Sequence, residues 1–308
     1  METDWSIVAT RLALYADLGL LFGVPLFALY ALRGDERGQL LPFRLPVAGL
    51  AAVGAILSLL GFALMAASMT GTGLADLDLG MMTMLISETT VGRAFVAREA
   101  ALILALAFCI RIPRKPVPFL VLASATGAVA VGTLAWSGHA AASEGAAGIV
   151  HLAGDIVHIL AASAWLGALA VLAGLMMMRQ EPTDERVQTT HRALAGFATI
   201  GSILVALIIV TGVANSVFLV GFDATWSLGT TLYGQLLIAK IALFAAMLGL
   251  AASHRFRLTP ALGAALKQGD AASAASKLRR SLVIETVLAL AILALVAWLG
   301  TLAPPISG

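Results

Sequence analysis

The sequence predicts an all-α integral membrane protein with eight transmembrane helices. Of its 308 residues, 60% are hydrophobic and only 12% are charged, and the mean hydropathy of +0.97 lies far above that of soluble domains. Eight apolar runs are long enough to cross a bilayer, and Lys and Arg residues gather in every second loop. Together these observations exclude a soluble fold.

The apolar runs each reach the roughly 20 residues that a helix needs to span the hydrocarbon core. They lie at 7–32, 45–69, 90–111, 117–137, 150–178, 193–220, 230–253 and 281–302. The loops between them are short, so we expect one polytopic membrane domain over residues 1–308. The first run contains Arg11 and Asp17 and follows no basic segment, so it is predicted to be a helix rather than a signal peptide.

The charge pattern of the loops predicts the orientation. Basic residues follow runs one, three, five and seven, as in Arg33, Arg114, Arg179 and Arg255, whereas the alternate loops carry acids such as Asp76. The positive-inside rule then places the basic loops in the cytoplasm and both termini in the periplasm. The formal net charge of +2 reflects this topology, and it does not imply binding to nucleic acid.

A weak internal repeat links the third and seventh runs. They open with TTVGRAFVAR (89–98) and TTLYGQLLIAK (230–240), and in each a glycine precedes a basic residue by six positions. Because four spans separate the two segments, their orientation in the membrane would be the same. The pattern is consistent with two parallel four-helix repeats.

The fifth run carries the most unusual side chains of the chain at its start. His151, Asp155 and His158 are spaced by four and seven residues, so they share one face of a helix, and Trp165 continues the stripe. Asp155 and His158 would lie about 6 Å and about 10 Å deeper than His151. Polar groups inside a membrane are costly and are usually functional, so we interpret this face as the site.

Other candidate ligands fall on the predicted outer side. His139 follows the fourth run. The chain has a single cysteine, Cys109, which excludes an intrachain disulfide and a metal cluster built from cysteines. Any metal site must therefore use His, Met or carboxylate. Weaker candidates are Met65, Met69, Met81, Met82 and Met84, for which packing in the core is the alternative. His191 and His254 fall in predicted cytoplasmic loops, where we expect solvated side chains.

Several charged residues lie inside the runs. Lys240 is near the predicted middle of the membrane, where an unpaired ammonium costs about 2.5–3.5 kcal/mol. It needs an acidic partner, and the acids inside the runs are Asp17, Glu99, Asp155 and Glu285. Structural ion pairing is the expected role for Lys240 and Arg98, with a proton or ion pathway as the alternative.

Five sequence elements together resemble one known family. They are SGHAA (137–141), the H-x6-H pair leading into WLGAL (165–169), TLYG followed by Lys240, Glu285 early in the last run, and LAPP (302–305). Over nearly the whole chain they are similar to the CopD family of copper-resistance membrane proteins. The resemblance implies an eight-helix bacterial inner-membrane protein that takes copper from the periplasm, with a periplasmic CopC-like carrier as partner, and passes it inward.

By position, the resemblance carries copper binding to His139, His151 and His158. Copper(I) favours thioether and imidazole ligands, and copper(II) favours imidazole with oxygen ligands. His151 and His158 lie about 10 Å apart along the axis, so a relay is expected rather than one shared ion. His139 and His151 would form an outer site, His158 would take the ion deeper, and Asp155 would orient or bind between them. Only Met81, Met82 and Met84 represent the Met-rich segment of some relatives.

Two other functions compete with copper transport. A b-type cytochrome also holds haem between transmembrane histidines. Its two axial ligands must come from facing helices, whereas His151 and His158 share one helix, which counts against haem. A non-transporting copper chaperone or assembly factor would use the same ligands as a transporter. An enzyme is not expected, because the chain has no H-E-x-x-H motif, no nucleophile elbow and no phosphate loop. Transport would then use a gradient or a partner that releases its metal.

Overall fold

The fold is a bundle of long helices. The computed structural model describes residues 3–34, 36–39, 43–111, 116–138, 145–177, 184–221, 228–268 and 272–305, and these contain no strand. The helices are α1 (Trp5–Ala31), α2 (Glu36–Gln39), α3 (Arg44–Thr70), α4 (Leu79–Glu88), α5 (Thr90–Arg111), α6 (Pro116–Gly132), α7 (Gly145–Met177), α8 (Asp184–Val220), α9 (Leu232–Ser253), α10 (Thr259–Gln268) and α11 (Ala272–Leu299).

Each predicted span corresponds to one long helix, and seven of them are apolar enough to cross a membrane. These are α1, α3, α6 with the 3₁₀ turn that follows it, α7, α8, α9 with its continuation, and α11. Helix α5 has 22 residues, which is long enough to span. Helix α5 is not among the seven apolar helices, because it contains Arg93, Arg98 and Glu99. The crossing by α5 therefore stays a prediction.

Side-chain oxygens cap several helices where the sequence offers Asp or Thr. Asp4 accepts hydrogen bonds from the backbone N–H groups of Ser6 and Ile7 at the start of α1, which is the usual N-cap geometry. Asp78 caps α4 in the same way. The two repeated segments also begin alike, because Thr89 accepts from Gly92 N at 3.0 Å and Thr231 accepts from Gly234 N at 3.1 Å.

Helix α1 lies at the centre of the bundle and contacts α3, α6, α7 and α11. Its closest approach is to α7, where Gly23 meets Gly167 with no space for a Cβ atom on either residue. Gly19 and Gly23 are spaced as G-x-x-x-G, and they face Ser163 and Gly167 of α7 at the same spacing. Small residues at this spacing let helix backbones pack tightly in membranes, so the helix with the candidate site is fixed against α1.

A π-helical turn, His254–Leu258, joins α9 to α10. The N–H of Thr259 bonds to His254 O, five residues back, and Pro260 follows directly. Proline has no N–H, and its ring clashes with the carbonyl four residues earlier in a regular helix, so the widened turn relieves that clash. The chain thereby continues past the predicted end of the seventh span.

Candidate metal site

The polar face of α7 packs against α8, and each candidate ligand on it meets its own partner there. The rings of His151 and Phe218 stack with centroids 4.6 Å apart at 12°. Asn215 Nδ2 donates to Asp155 Oδ1 at 3.0 Å. His158 Nδ1 lies 2.9 Å from Thr211 Oγ1. Because the two helices are antiparallel, the three pairs form successive rungs along one interface, and we call them the α7–α8 ladder.

The ladder keeps the three predicted ligands on one face but does not gather them around one point. Their rings and carboxylate are directed toward separate residues of α8. Among the residues that the structure describes, no group of three His, Cys, Asp or Glu side chains could hold a metal ion. The relay predicted from the spacing therefore stays a prediction.

Hydrogen bonding by Thr211 favours the tautomer of His158 that carries its proton on Nδ1. The Thr211 hydroxyl has one proton, and it is donated to Leu207 O at 2.5 Å. Thr211 Oγ1 can then only accept from His158, so Nδ1 of His158 carries the ring proton. The lone pair of His158 stays on Nε2, which is the arrangement that holds a neutral imidazole ready as a metal ligand.

Asp155 is the point where several elements converge. Of the four candidate acids, Asp155 is the one whose charge acts on Lys240 of α9. A Cβ atom on Gly138 would lie 3.7 Å from Asp155 Oδ2, which places the end of the 3₁₀ turn Thr133–Ser137 beside the ladder. His139, the predicted outer ligand, lies outside the described residues.

The methionine candidates lie away from the ladder. Met65, Met81 and Met82 pack against an apolar cluster that includes Phe62 and Phe95, which supports the alternative reading as core residues. The other two are exposed, Met69 by 60% and Met84 by 43%.

The remaining intramembrane charges occupy separate contacts. Arg98 is buried, and its Nε donates to Ser58 Oγ at 2.8 Å. Glu99 interacts electrostatically with Arg98. Asp17 is also buried, beside Gly54, where its Oδ2 would lie 2.6 Å from an added Cβ atom. These residues tie α1, α3 and α5 together and do not reach the ladder.

One buried histidine was missed by the reading of the sequence. His254 is only 8% exposed, so the expected solvated side chain is wrong. The π-helical turn carries it inward, where its Nδ1 lies 3.0 Å from Glu285 Oε2. The other Glu285 oxygen accepts from Trp165 Nε1 at 3.1 Å. Trp165 therefore belongs to this second cluster. The proline six residues after His254 was the signal that could have indicated an altered turn.

Comparison with known proteins places the chain in a family. Residues 1–149 match the model of the copper resistance protein D-like N-terminal domain, and residues 191–299 match that of copper resistance protein D. The chain is 40% identical over 309 residues to "Copper resistance protein D" of Pseudomonas syringae pv. tomato, covering 99% of this chain and 98% of that protein. The chain belongs to the copper resistance protein D family. No solved structure matches it.

More distant relatives of the family extend the comparison. "Inner membrane protein YebZ" of Escherichia coli K12 is 26% identical over 254 residues, which cover 82% of this chain and 84% of that protein. "Copper transport protein CutJ" of Bacillus subtilis is 34% identical over 128 residues, 41% of this chain and 22% of that protein. The predicted family resemblance is confirmed, and the chain is a multi-pass copper resistance protein of the inner membrane. The ladder histidines, His151 and His158, fall between the two matched regions.

Proposed function

We propose that this copper resistance protein binds copper at the periplasmic face and passes it inward along the α7–α8 ladder. The observation that carries the proposal is the contact of His158 Nδ1 with Thr211 Oγ1 at 2.9 Å, because a Thr211 hydroxyl that donates to Leu207 O accepts from Nδ1 and leaves Nε2 as the metal-binding nitrogen. A neutral imidazole with a fixed tautomer suits copper in either oxidation state. The ladder offers one or two ligands at each step, which allows an ion both to be held and to leave.

The outer end of the proposed path combines His151 with His139. Gly138 packs beside Asp155, and His139 is the next residue of the chain, so the chain leads from the predicted ligand directly to the ladder. Asp155 offers Oδ2 to an ion while Asn215 holds Oδ1. Its carboxylate also balances Lys240, so a cation that reaches Asp155 would compete with the lysine charge.

The topology completes the proposal. Eight spans, with α5 as the third, would put both termini in the periplasm and the ladder histidines at the outer face. A periplasmic CopC-like carrier would deliver the copper there, and a gradient or that carrier would drive transfer, since we propose no enzymatic activity. A chaperone that hands copper to another membrane protein uses the same ligands.

Copper binding by the purified full-length protein tests the ladder. We expect wild-type protein to bind copper. A His151→Ala, His158→Ala double variant should lose the copper that the ladder binds, because both imidazoles are removed. His191→Ala is the matched control, since His191 lies at the other end of α8 against Gly263. Equal copper binding by the double variant and the control would contradict the proposal.

Two further measurements separate the alternatives. Uptake of copper into sealed proteoliposomes distinguishes a transporter from a chaperone, which would bind copper without moving it. The absorption spectrum of the purified protein tests for b-type haem. A Soret band in the wild-type protein that disappears in the His151→Ala, His158→Ala variant would show that these histidines bind haem rather than copper.

A further inference from the structure

A second polar cluster lies at the end of α7 away from His151. It consists of Trp165 from α7, His254 from the π-helical turn, and Ser281 and Glu285 from α11, all of them buried. Trp165 follows His151 by fourteen residues, or roughly 21 Å along a helix axis. The copper path proposed above uses none of these four residues.

The donor atoms of this cluster have the spacing of two ligands on one metal ion. His254 Nδ1 and Glu285 Oε2 are 3.0 Å apart. Nitrogen and oxygen ligands bind a metal such as zinc at about 2.0–2.2 Å, so two ligands meeting near a right angle are separated by roughly 3 Å. The pair would need little rearrangement to hold an ion.

Both ligands are also held from behind, as metal ligands usually are. Ser281 Oγ lies 2.7 Å from His254 Nε2, which leaves Nδ1 toward the carboxylate. Trp165 Nε1 donates to Glu285 Oε1 at 3.1 Å, which leaves Oε2 toward the imidazole. The widened turn that positions His254 is a feature often found at functional sites.

We propose that His254 and Glu285 form a second cation site, specific for divalent first-row metals that accept imidazole and carboxylate ligands, such as Cu(II). A crevice of about 210 Å³ lies between α10 and α11. Two of the residues lining it, Leu258 and Lys277, lie four residues from His254 and Ser281 respectively. The protein would then have a metal site at the end of α7 away from the ladder histidine His151.

Cu(II) binding in the ladder-deficient background tests this site independently of the outer one. In a His139→Ala, His151→Ala, His158→Ala variant, which lacks all three histidines of the proposed outer path, we expect one remaining equivalent of Cu(II) with one imidazole nitrogen in its electron paramagnetic resonance spectrum. Adding His254→Ala should abolish that signal, and adding His191→Ala should leave it unchanged. Absence of the signal before His254 is changed would overturn the second site without affecting the ladder, and persistence after His254→Ala would overturn it as well.

Two milder variants guard against a folding defect. Glu285→Gln keeps the shape of the side chain but removes the anionic ligand, and Trp165→Phe keeps a ring but removes the N–H that holds Oε1. We expect each to weaken Cu(II) binding by about 10- to 100-fold in protein with wild-type elution and helix content. If both variants bind Cu(II) with wild-type affinity, His254 and Glu285 are a structural pair that fastens the π-helical turn to α11.

Discussion

His158 and His254 differ in the groups that their ring nitrogens contact, and those contacts decide which nitrogen can bind a metal. The Thr211 hydroxyl donates a hydrogen bond to Leu207 O, and its oxygen contacts Nδ1 of His158. His254 instead has a carboxylate at one nitrogen and a hydroxyl at the other. Spacing along α7 predicted that His151, Asp155 and His158 share a face, and the structure bears this out. The partners on α8 could not be predicted, because they are more than 50 residues away in sequence.

Thr211→Val tests the role of the tautomer. Valine keeps the shape of threonine but cannot accept a hydrogen bond, so the ring proton of His158 is no longer fixed on Nδ1. We expect copper affinity at the ladder to fall by about 10- to 100-fold, measured by competition with a copper chelator. Ser216→Ala is the control, because Ser216 bonds to Gly212 O within its own helix. Similar affinities for both variants would show that Thr211 does not act through His158.

Helix α7 owes its position to glycine rather than to its polar face. Two residues of the W-L-G segment make different contacts. Trp165 bonds to Glu285, and Gly167 permits the close crossing with Gly23. Neither of these two contacts involves a ladder histidine. The motif therefore supports the site by fixing the helix on which the ligands stand.

Gly167→Ala should destabilise the bundle, because its new methyl group would overlap the backbone of Gly23. Overpacking of this kind costs about 1–3 kcal/mol, which would lower the thermal midpoint of the detergent-purified protein. Gly174→Ala on the same helix has no atom within 4 Å of its added Cβ, so it should be neutral or slightly stabilising. Equal midpoints for the two variants would show that α1 and α7 do not cross this closely.

The repeated T-x-x-G starts of the third and seventh predicted spans have the same local structure. Thr89 and Thr231 cap their helices through the N–H of the glycine three residues on, and each glycine packs on the preceding turn. The basic residues six positions later differ in their surroundings, since Arg98 bonds to Ser58 whereas Lys240 interacts with Asp155. The similarity is consistent with duplication of a four-helix unit followed by divergence of its charged residues.

Among the described residues, the two largest apolar clusters share α1 and α7. One core includes residues of α1, α3, α5 and α6, and the other includes residues of α7, α8, α9 and α11, with side chains of α1 and α7 in both. At the end of the bundle near the ladder, Arg11 donates to Gly300 O and Ser137 O. The chain's last described segment is thereby held beside the start of α1 and the end of the fourth span.

The number of crossings can be measured from the two ends of the chain. An even number of spans puts both termini on one side, whereas loss of α5 as a span would put them on opposite sides. In a Cys109→Ser background, we expect Thr3→Cys and Thr301→Cys both to react with an impermeant maleimide in intact cells. Lys277→Cys, in the predicted cytoplasmic loop, should react only after permeabilisation. Labelling of only one terminus in intact cells would contradict the eight-span topology.

Composition and periodicity were sufficient for the membrane class, for the position of each long helix, and for the shared face of His151, Asp155 and His158, whereas the family was suggested by the resemblance of short motifs such as SGHAA and WLGAL. All of these follow from local properties, because a helix of apolar residues forms and presents its faces in the same way whichever helix lies beside it. Contacts between distant segments decided the rest: the acid that balances Lys240, the tautomer of His158 and the burial of His254. Those outcomes depend on which helices pack together, and small residues such as Gly23 and Gly167 set that packing through shape, which hydropathy does not record.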